Sequence, residues 1–187
     1  MASSDQLTST RRIRMKKIFT IIALLTLSTL LFAQKAGDKI TFAATDLKGN
    51  PVTSEVFAKN KLTMINIWGT FCGPCIREMP DLARLNEENK AKGFEVIGIV
   101  IDILDNKGQV SSRIKTTGEK IIENTGANYT HIVPNIEMFS GLLRNVQAVP
   151  TTIFVDSNGK QIGNAYLGSR SQKDWQKIID EILNKLQ

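Results

Sequence analysis

Two nearly continuous apolar runs, KLTMINIWGT at residues 61–70 and FEVIGIVID at residues 94–102, constrain the fold more than any other feature of the sequence. Both are rich in β-branched residues and predict strands buried on both faces. The stretch between them ends at Gly93 and has the apolar spacing of a helix, which we expect Pro80 to kink. Strand, helix, strand in this order predicts a βαβ unit with parallel strands.

The flanking segments predict the rest of a small α/β sandwich. Residues 39–57 indicate two short β elements around the turn LKGNP. Residues 105–126 predict a polar helix, and NIEMFSGLLRNV predicts a short one. TTIFVDSNGKQIGNAYLG predicts an antiparallel hairpin because Asn158-Gly159 is a strong turn signal. The last helix begins with a capping-box pattern at Ser171 and Asp174.

Charge is concentrated at the N-terminus. Of the formal net charge of +6, residues 1–33 carry five basic groups against one acidic group, which leaves a mixed surface elsewhere. The sequence shows no run of basic residues interleaved with aromatic ones, so we expect no nucleic-acid partner. RRIRMKK followed by the apolar residues 18–32 and Ala33 predicts a signal peptide cleaved after Ala33, with an uncleaved membrane anchor as the alternative. The protein is therefore expected to be exported, to the periplasm or the outer face of the cytoplasmic membrane.

The chain has two cysteines, Cys72 and Cys75, in the stretch WGTFCGPC. A structural zinc site needs four ligands, and the chain adds one histidine, His131, to these two thiols. A structural disulfide would close too short a loop to stabilise the fold much. With a zinc site and a structural disulfide both disfavoured, the sequence favours redox exchange. We expect no metal and no cofactor beyond the Cys72–Cys75 disulfide.

The position of the pair favours the same chemistry. Cys72 lies where a buried strand gives way to a helix, so free backbone N–H groups and the helix dipole favour its thiolate. We expect Cys72 to attack a substrate disulfide and Cys75 to resolve the mixed disulfide. Pro74 suits the first helical turn, and Gly73 keeps the approach to sulfur open.

WGTFCGPC, followed 75 residues after Cys75 by VPTT, resembles the thioredoxin-fold family, and INIWGTFCGPCIREMP is similar to its exported TlpA/ResA-like branch. The resemblance spans Gly37 to Leu186. It implies a thioredoxin-like domain over residues 34–187, an α/β/α sandwich with a central mixed sheet. It also implies an N-terminal β extension and a cis-proline loop. Before that loop, residues 106–133 form an enlarged segment, longer than the family core requires. We interpret that segment as a surface insertion, with a specificity element as the alternative.

The resemblance also implies roles for single residues. Pro150 matches the cis-proline beside the disulfide, and Val149 would offer backbone hydrogen bonds to an extended substrate. Glu78 matches an acid near the disulfide that can exchange a proton with Cys75 if burial raises its pKa, although a plain surface glutamate is the alternative. Trp68 is expected to pack on the active-site helix, with a secondary contact to substrate.

The leading hypothesis is a monomeric, exported thiol–disulfide oxidoreductase that reduces protein disulfides, with apocytochrome c as the first substrate to test. An oxidising exterior implies resupply by a membrane-embedded thiol donor. A peroxiredoxin-like peroxidase shares the fold, but Gly69-Thr70-Phe71-Cys72 lacks its Thr-x-x-Cys spacing. A copper-delivery protein would use both cysteines and His131, but it spaces the cysteines one residue further apart. We expect His131 to be structural or solvated.

Overall fold

The computed structural model of the protein describes residues 39–186. The predicted signal peptide or anchor at residues 1–33 lies outside the described residues. Within the described part, no helix is both long enough and apolar enough to cross a membrane.

The predicted βαβ unit forms the centre of the fold. Strand β3 (Leu62–Trp68) is buried at every residue, and it runs parallel to β4 (Phe94–Val100) in unbroken register, with Leu62 opposite Phe94 and Trp68 opposite Val100. Helix α1 (Gly73–Asn89) joins them and continues through Pro80. A short 3-10 turn at Lys90–Lys92 follows, and Gly93 adopts the left-handed conformation that turns the chain into β4.

The central sheet has seven strands in the order β2-β1-β5-β4-β3-β6-β7. The remaining strands are β1 (Ala43–Asp46), β2 (Pro51–Thr53), β5 (Thr130–Val133), β6 (Thr151–Asp156) and β7 (Gln161–Leu167). Strands β3, β4 and β5 are parallel, whereas the other pairings are antiparallel. The sheet is therefore mixed, and the β1–β2 hairpin is the predicted N-terminal β extension.

Helices cover both faces of the sheet. Helices α1, α2 (Ser112–Thr125) and α4 (Gln172–Lys185) pack on one face around Trp68, Met79, Phe154 and Trp175. The 3-10 helix Ser54–Lys59 and α3 (Ile136–Ser140) cover the other face, around Phe57, Ile97 and Met138. Alternate residues of β3 face the two layers, which confirms the α/β/α sandwich.

The segment at residues 106–133 differs from the prediction in two ways. Its helix begins at Ser112, after a loop in which the Asp105 carboxylate accepts hydrogen bonds from the N–H groups of Lys107 and Gln109. The segment is also more than a surface insertion, because β5 lies between β1 and β4 within the sheet. That interpretation was wrong, since a buried strand of four residues has too little pattern to stand out.

The C-terminal predictions are confirmed. Strands β6 and β7 form the predicted hairpin, with Gly159 in the left-handed conformation of its turn. Ser171 caps α4: its hydroxyl accepts from the Asp174 N–H at 3.2 Å and donates to the Asp174 carboxylate at 2.6 Å.

Candidate active site

The two cysteines form a disulfide at the start of α1. Cys72 is the N-cap residue of the helix, and its Sγ accepts a hydrogen bond from the Cys75 N–H at 3.2 Å. Cys72 keeps 5% of its surface exposed, whereas Cys75 is fully buried. The N-terminal end of a helix favours negative charge, so the reduced Cys72 sits where a thiolate is stabilised. The pair is thus arranged as one reachable sulfur and one enclosed sulfur.

Gly73 and Pro74 separate the two cysteines at the start of α1. Pro74 is exposed in the first turn of α1, and a Cβ atom added at Gly73 would lie 3.3 Å from Nη1 of Arg77. The exposed Arg77 therefore places a guanidinium over the turn between the two sulfurs. A cation there also favours the thiolate of Cys72.

Pro150 lies at the same end of the sheet as the disulfide. The Val149–Pro150 peptide bond is cis, as the resemblance implied. Pro150 directly precedes Thr151, which pairs with Ile67 near the end of β3. The Pro150 carbonyl accepts from Gly168 at 2.9 Å. Within residues 39–186, the N–H and C=O groups of Val149 make no backbone hydrogen bond.

Glu78 lies beneath the disulfide, one helical turn beyond Cys75, with 3% of its surface exposed. It is not a surface glutamate. One carboxylate oxygen accepts from the Asn66 amide at 3.0 Å. The other accepts from the Arg170 N–H at 3.1 Å and the Trp175 indole at 3.4 Å.

These donors do not outweigh the effect of burial. Burial raises the pKa of Glu78 above its ordinary value, and the hydrogen bonds from Arg170, Asn66 and Trp175 oppose that rise. The carboxylate therefore holds a proton to higher pH than an exposed glutamate does. A group of this kind next to an enclosed thiol can take up and return a proton.

Trp68 packs in the same core cluster as Cys72 and Cys75. It is fully buried behind the disulfide, and its indole N–H donates to His131 Nδ1 at 3.1 Å. Phe71 is the exposed apolar side chain next to Cys72, with 72% of its surface accessible.

His131 is structural. Besides the bond from Trp68, its Nε2 lies 2.8 Å from the Ala127 carbonyl, so both ring nitrogens have partners. Burial lowers the pKa of His131 to about 4, which keeps the ring neutral. Among residues 39–186, no three His, Cys, Asp or Glu side chains are grouped so that they could hold a metal ion.

The comparison with known families agrees with this geometry. A family model described as Redoxin matches residues 35–181. The chain belongs to the Redoxin family. This redoxin is 36% identical over 141 residues to the thiol-disulfide oxidoreductase ResA of a Bacillus cereus strain, an alignment that covers 75% of this chain and 74% of the relative. It is 28% identical, with the same coverage, to ResA of Geobacillus kaustophilus.

Among solved structures, the redoxin resembles a thiol:disulfide interchange protein of the thioredoxin family from Chlorobium tepidum TLS. The TM-score is 0.64 at 22% identity, over 80% of this chain and 97% of the other, which establishes the thioredoxin-like fold. The relatives and the disulfide confirm two sequence-based predictions: this redoxin is a TlpA/ResA-like protein, and it is a thiol–disulfide oxidoreductase.

Sequence reasoning missed three contributors to this site. Trp175 and Arg170, from α4 and the loop before it, bond to Glu78 across a long separation in the chain. Asp102 holds the turn before Cys72. The available signal for Asp102 was its position directly after a buried parallel strand, where side chains gather at the carboxyl edge of the sheet.

Proposed function

We propose that this oxidoreductase works outside the cytoplasm and reduces disulfide bonds in exported proteins. The observation that carries the proposal is the enclosed acid Glu78 one turn beyond the enclosed thiol Cys75, below the more reachable Cys72. The proposed location outside the cytoplasm rests on the basic and apolar pattern of residues 11–33.

The reaction begins with Cys72. Its thiolate attacks one sulfur of a substrate disulfide, which forms a Cys72–substrate disulfide and releases the other substrate sulfur as a thiolate. Cys75 then loses its proton to the Glu78 carboxylate and attacks Sγ of Cys72. This step closes the Cys72–Cys75 disulfide and releases the second substrate thiolate. Two electrons pass to the substrate, whose two thiolates take up protons.

Substrate binding is assigned to the loop around Pro150. The free N–H and C=O groups of Val149 would pair with an extended substrate segment, while the exposed Phe71 ring and the exposed Pro74 provide an apolar surface beside the sulfur. A protein segment, extended near its cysteine, fits such a surface. Apocytochrome c is the first substrate to test.

Turnover requires the Cys72–Cys75 disulfide to be reduced again. An extracytoplasmic environment lacks the soluble thiol pool of the cytosol, so we assign this step to a membrane-embedded thiol donor. The oxidoreductase would act as a monomer, and its N-terminal segment would be the one contact with the membrane if it is not cleaved.

The reduction potential of the cysteine pair tests the direction of electron flow. The chain would be equilibrated in graded dithiol buffers and its free thiols counted. A value near about −270 mV, as in thioredoxin, supports a reductant, whereas a value near about −120 mV, as in DsbA, would mark an oxidant and refute the proposal. Cell fractionation tests export separately: a tagged chain found solely in the cytosol would refute the location.

A further inference from the structure

The turn that delivers Cys72 to the helix consists of Gly69, Thr70 and Phe71. Gly69 is buried, Thr70 is half-buried, and the Phe71 ring is largely exposed. That ring folds back over Gly69, where an added Cβ atom would lie 2.6 Å from it. Thr70 is left as the residue through which side-chain contacts can fix the turn.

Asp102 supplies those contacts. One of its carboxylate oxygens accepts from the Thr70 N–H at 3.0 Å, and the other accepts from the Thr70 hydroxyl at 2.6 Å. Asp102 follows the end of β4, and the Ile101 N–H donates to the Trp68 carbonyl at 2.9 Å, which extends the β3–β4 pairing up to the turn. Both partners are half-buried, so these charge-assisted bonds are partly shielded from water.

The importance of the Thr70–Asp102 hydrogen bonds for the position of Cys72 depends on the redox state. In the oxidised protein, the disulfide holds Sγ of Cys72 close to the Cys75 N–H. Reduction breaks that covalent link. The position of Cys72 then depends on its backbone bonds to Gly69 and Ile76 and on the side-chain contacts of the turn before it. A hydrogen bond to sulfur weakens steeply when its geometry is lost.

We propose that Asp102 is a positioning residue for the redox reaction: by holding Thr70, it keeps the Cys72 sulfur at the N-terminus of α1 after the disulfide is reduced. The inference rests on the oxidoreductase activity and not on the direction of electron flow or the location of the protein. Asp102 touches neither sulfur in this role, and it acts through the turn.

A direct electrostatic effect of the Asp102 carboxylate would change the pKa of Cys72 in the opposite direction. The charged groups around the cysteines are Arg77 and Glu78 on α1, Arg170 before α4, and Asp102 itself. A carboxylate near a thiolate raises the pKa of the thiol. If charge dominates, removal of Asp102 lowers the pKa of Cys72; if positioning dominates, removal raises it.

The test uses the full chain with Cys75→Ser, so that Cys72 is the single thiol. Thiolate absorbance and the rate of iodoacetamide alkylation are followed against pH. Thr70→Val keeps the charge and the backbone bond but loses the hydroxyl, and Thr70→Ser is its matched control. We expect Thr70→Val and Asp102→Ala to raise the pKa of Cys72 and to slow alkylation at pH 6 by about three- to tenfold, the effect of one lost hydrogen bond. Thr70→Ser should stay within about twofold.

An unchanged pKa in Thr70→Val, or a lowered pKa in Asp102→Ala, overturns the proposal. If Asp102→Ala fails to fold, the Thr70→Val result alone tests the proposal. Valine has nearly the same shape as threonine, so we expect this variant to fold. An equal slowing in Thr70→Ser would also overturn it, since that variant keeps the hydroxyl.

Discussion

Replacement of Asn66 by leucine should make the stability of the protein depend more strongly on pH. Asn66 is fully buried on β3, and its amide donates to Glu78 at 3.0 Å and to the Thr152 hydroxyl at 3.2 Å. Its own carbonyl oxygen is buried without a partner among the described residues. Leucine has a similar volume and removes the donor to Glu78.

The sign follows from the raised pKa of Glu78. Its folded-state pKa lies above the ordinary value near 4.5, so the folded protein holds this proton more tightly than the unfolded chain does. The resulting stabilisation is complete below about pH 4.5 and is lost as the pH rises through the folded-state pKa. Because the bond from Asn66 opposes the raised pKa, its loss raises that pKa further and makes the fall in stability larger.

The size of the pH-dependent cost of Asn66→Leu follows from whether the Glu78 carboxyl group that accepts the bond is ionised. A hydrogen bond to a charged group contributes about 1.5–3 kcal/mol, against about 0.5–1.5 kcal/mol for a neutral one. The cost of Asn66→Leu should thus be about 1–2 kcal/mol larger at pH 8 than at pH 4. Removal of the unpartnered carbonyl oxygen contributes equally at both pH values and cancels in this difference.

Urea unfolding of the oxidised protein at pH 4 and pH 8 measures the difference. Thr152→Val is the matched control, because it removes the other partner of Asn66 and leaves Glu78 bonded. Glu78→Gln should abolish the extra cost at pH 8, since no carboxylate remains to be ionised. An equal cost of Asn66→Leu at both pH values would refute the reasoning, as would an extra cost that survives in Glu78→Gln.

Three further outcomes are expected. Cys75→Ser should accumulate a mixed disulfide with a cystine-containing peptide on non-reducing gels, and Cys72→Ser should not; trapping by Cys72→Ser would contradict the assigned order of attack. Arg77→Gln should raise the pKa of the Cys72 thiol at low ionic strength and less so in 0.5 M salt, because the guanidinium is exposed; a salt-independent shift would contradict this cause. Gly98→Ala should lower the free energy of unfolding by about 1–3 kcal/mol, because the added methyl group overlaps the His131 ring; an unchanged urea midpoint would show that the ring moves freely.

Local patterns in the sequence were enough to predict the central unit and the chemistry of the pair. The apolar runs at residues 61–70 and 94–102 predicted β3 and β4, because a strand buried on both faces has no polar alternation to obscure it. The predicted strand-to-helix junction at Cys72 is confirmed, since Cys72 is the N-cap residue of α1.

Contacts across strands could not be predicted in the same way. The bond between Trp68 and His131 joins residues 63 positions apart, and it depends on the register of β3, β4 and β5. The same is true of the Asn66 and Trp175 bonds to Glu78. Side-chain type constrains such contacts weakly, whereas strand order and register decide them.

The order of the strands also sets which end of the domain is available for attachment. Strand β6 runs away from Pro150 for six residues, about 20 Å, and the turn after it meets the first described residues, where the Ile40 N–H donates to the Gly159 carbonyl and Lys39 pairs with Lys160. A group attached near Lys39 therefore leaves the opposite end of the domain, which carries Cys72 and Cys75, unobstructed. An electrode linker, a resin or a reporter fused ahead of Lys39 would thus yield an immobilised reagent whose cysteines still meet soluble thiols, whereas an insertion at the β7–α4 loop would disturb the Arg170 contact to Glu78.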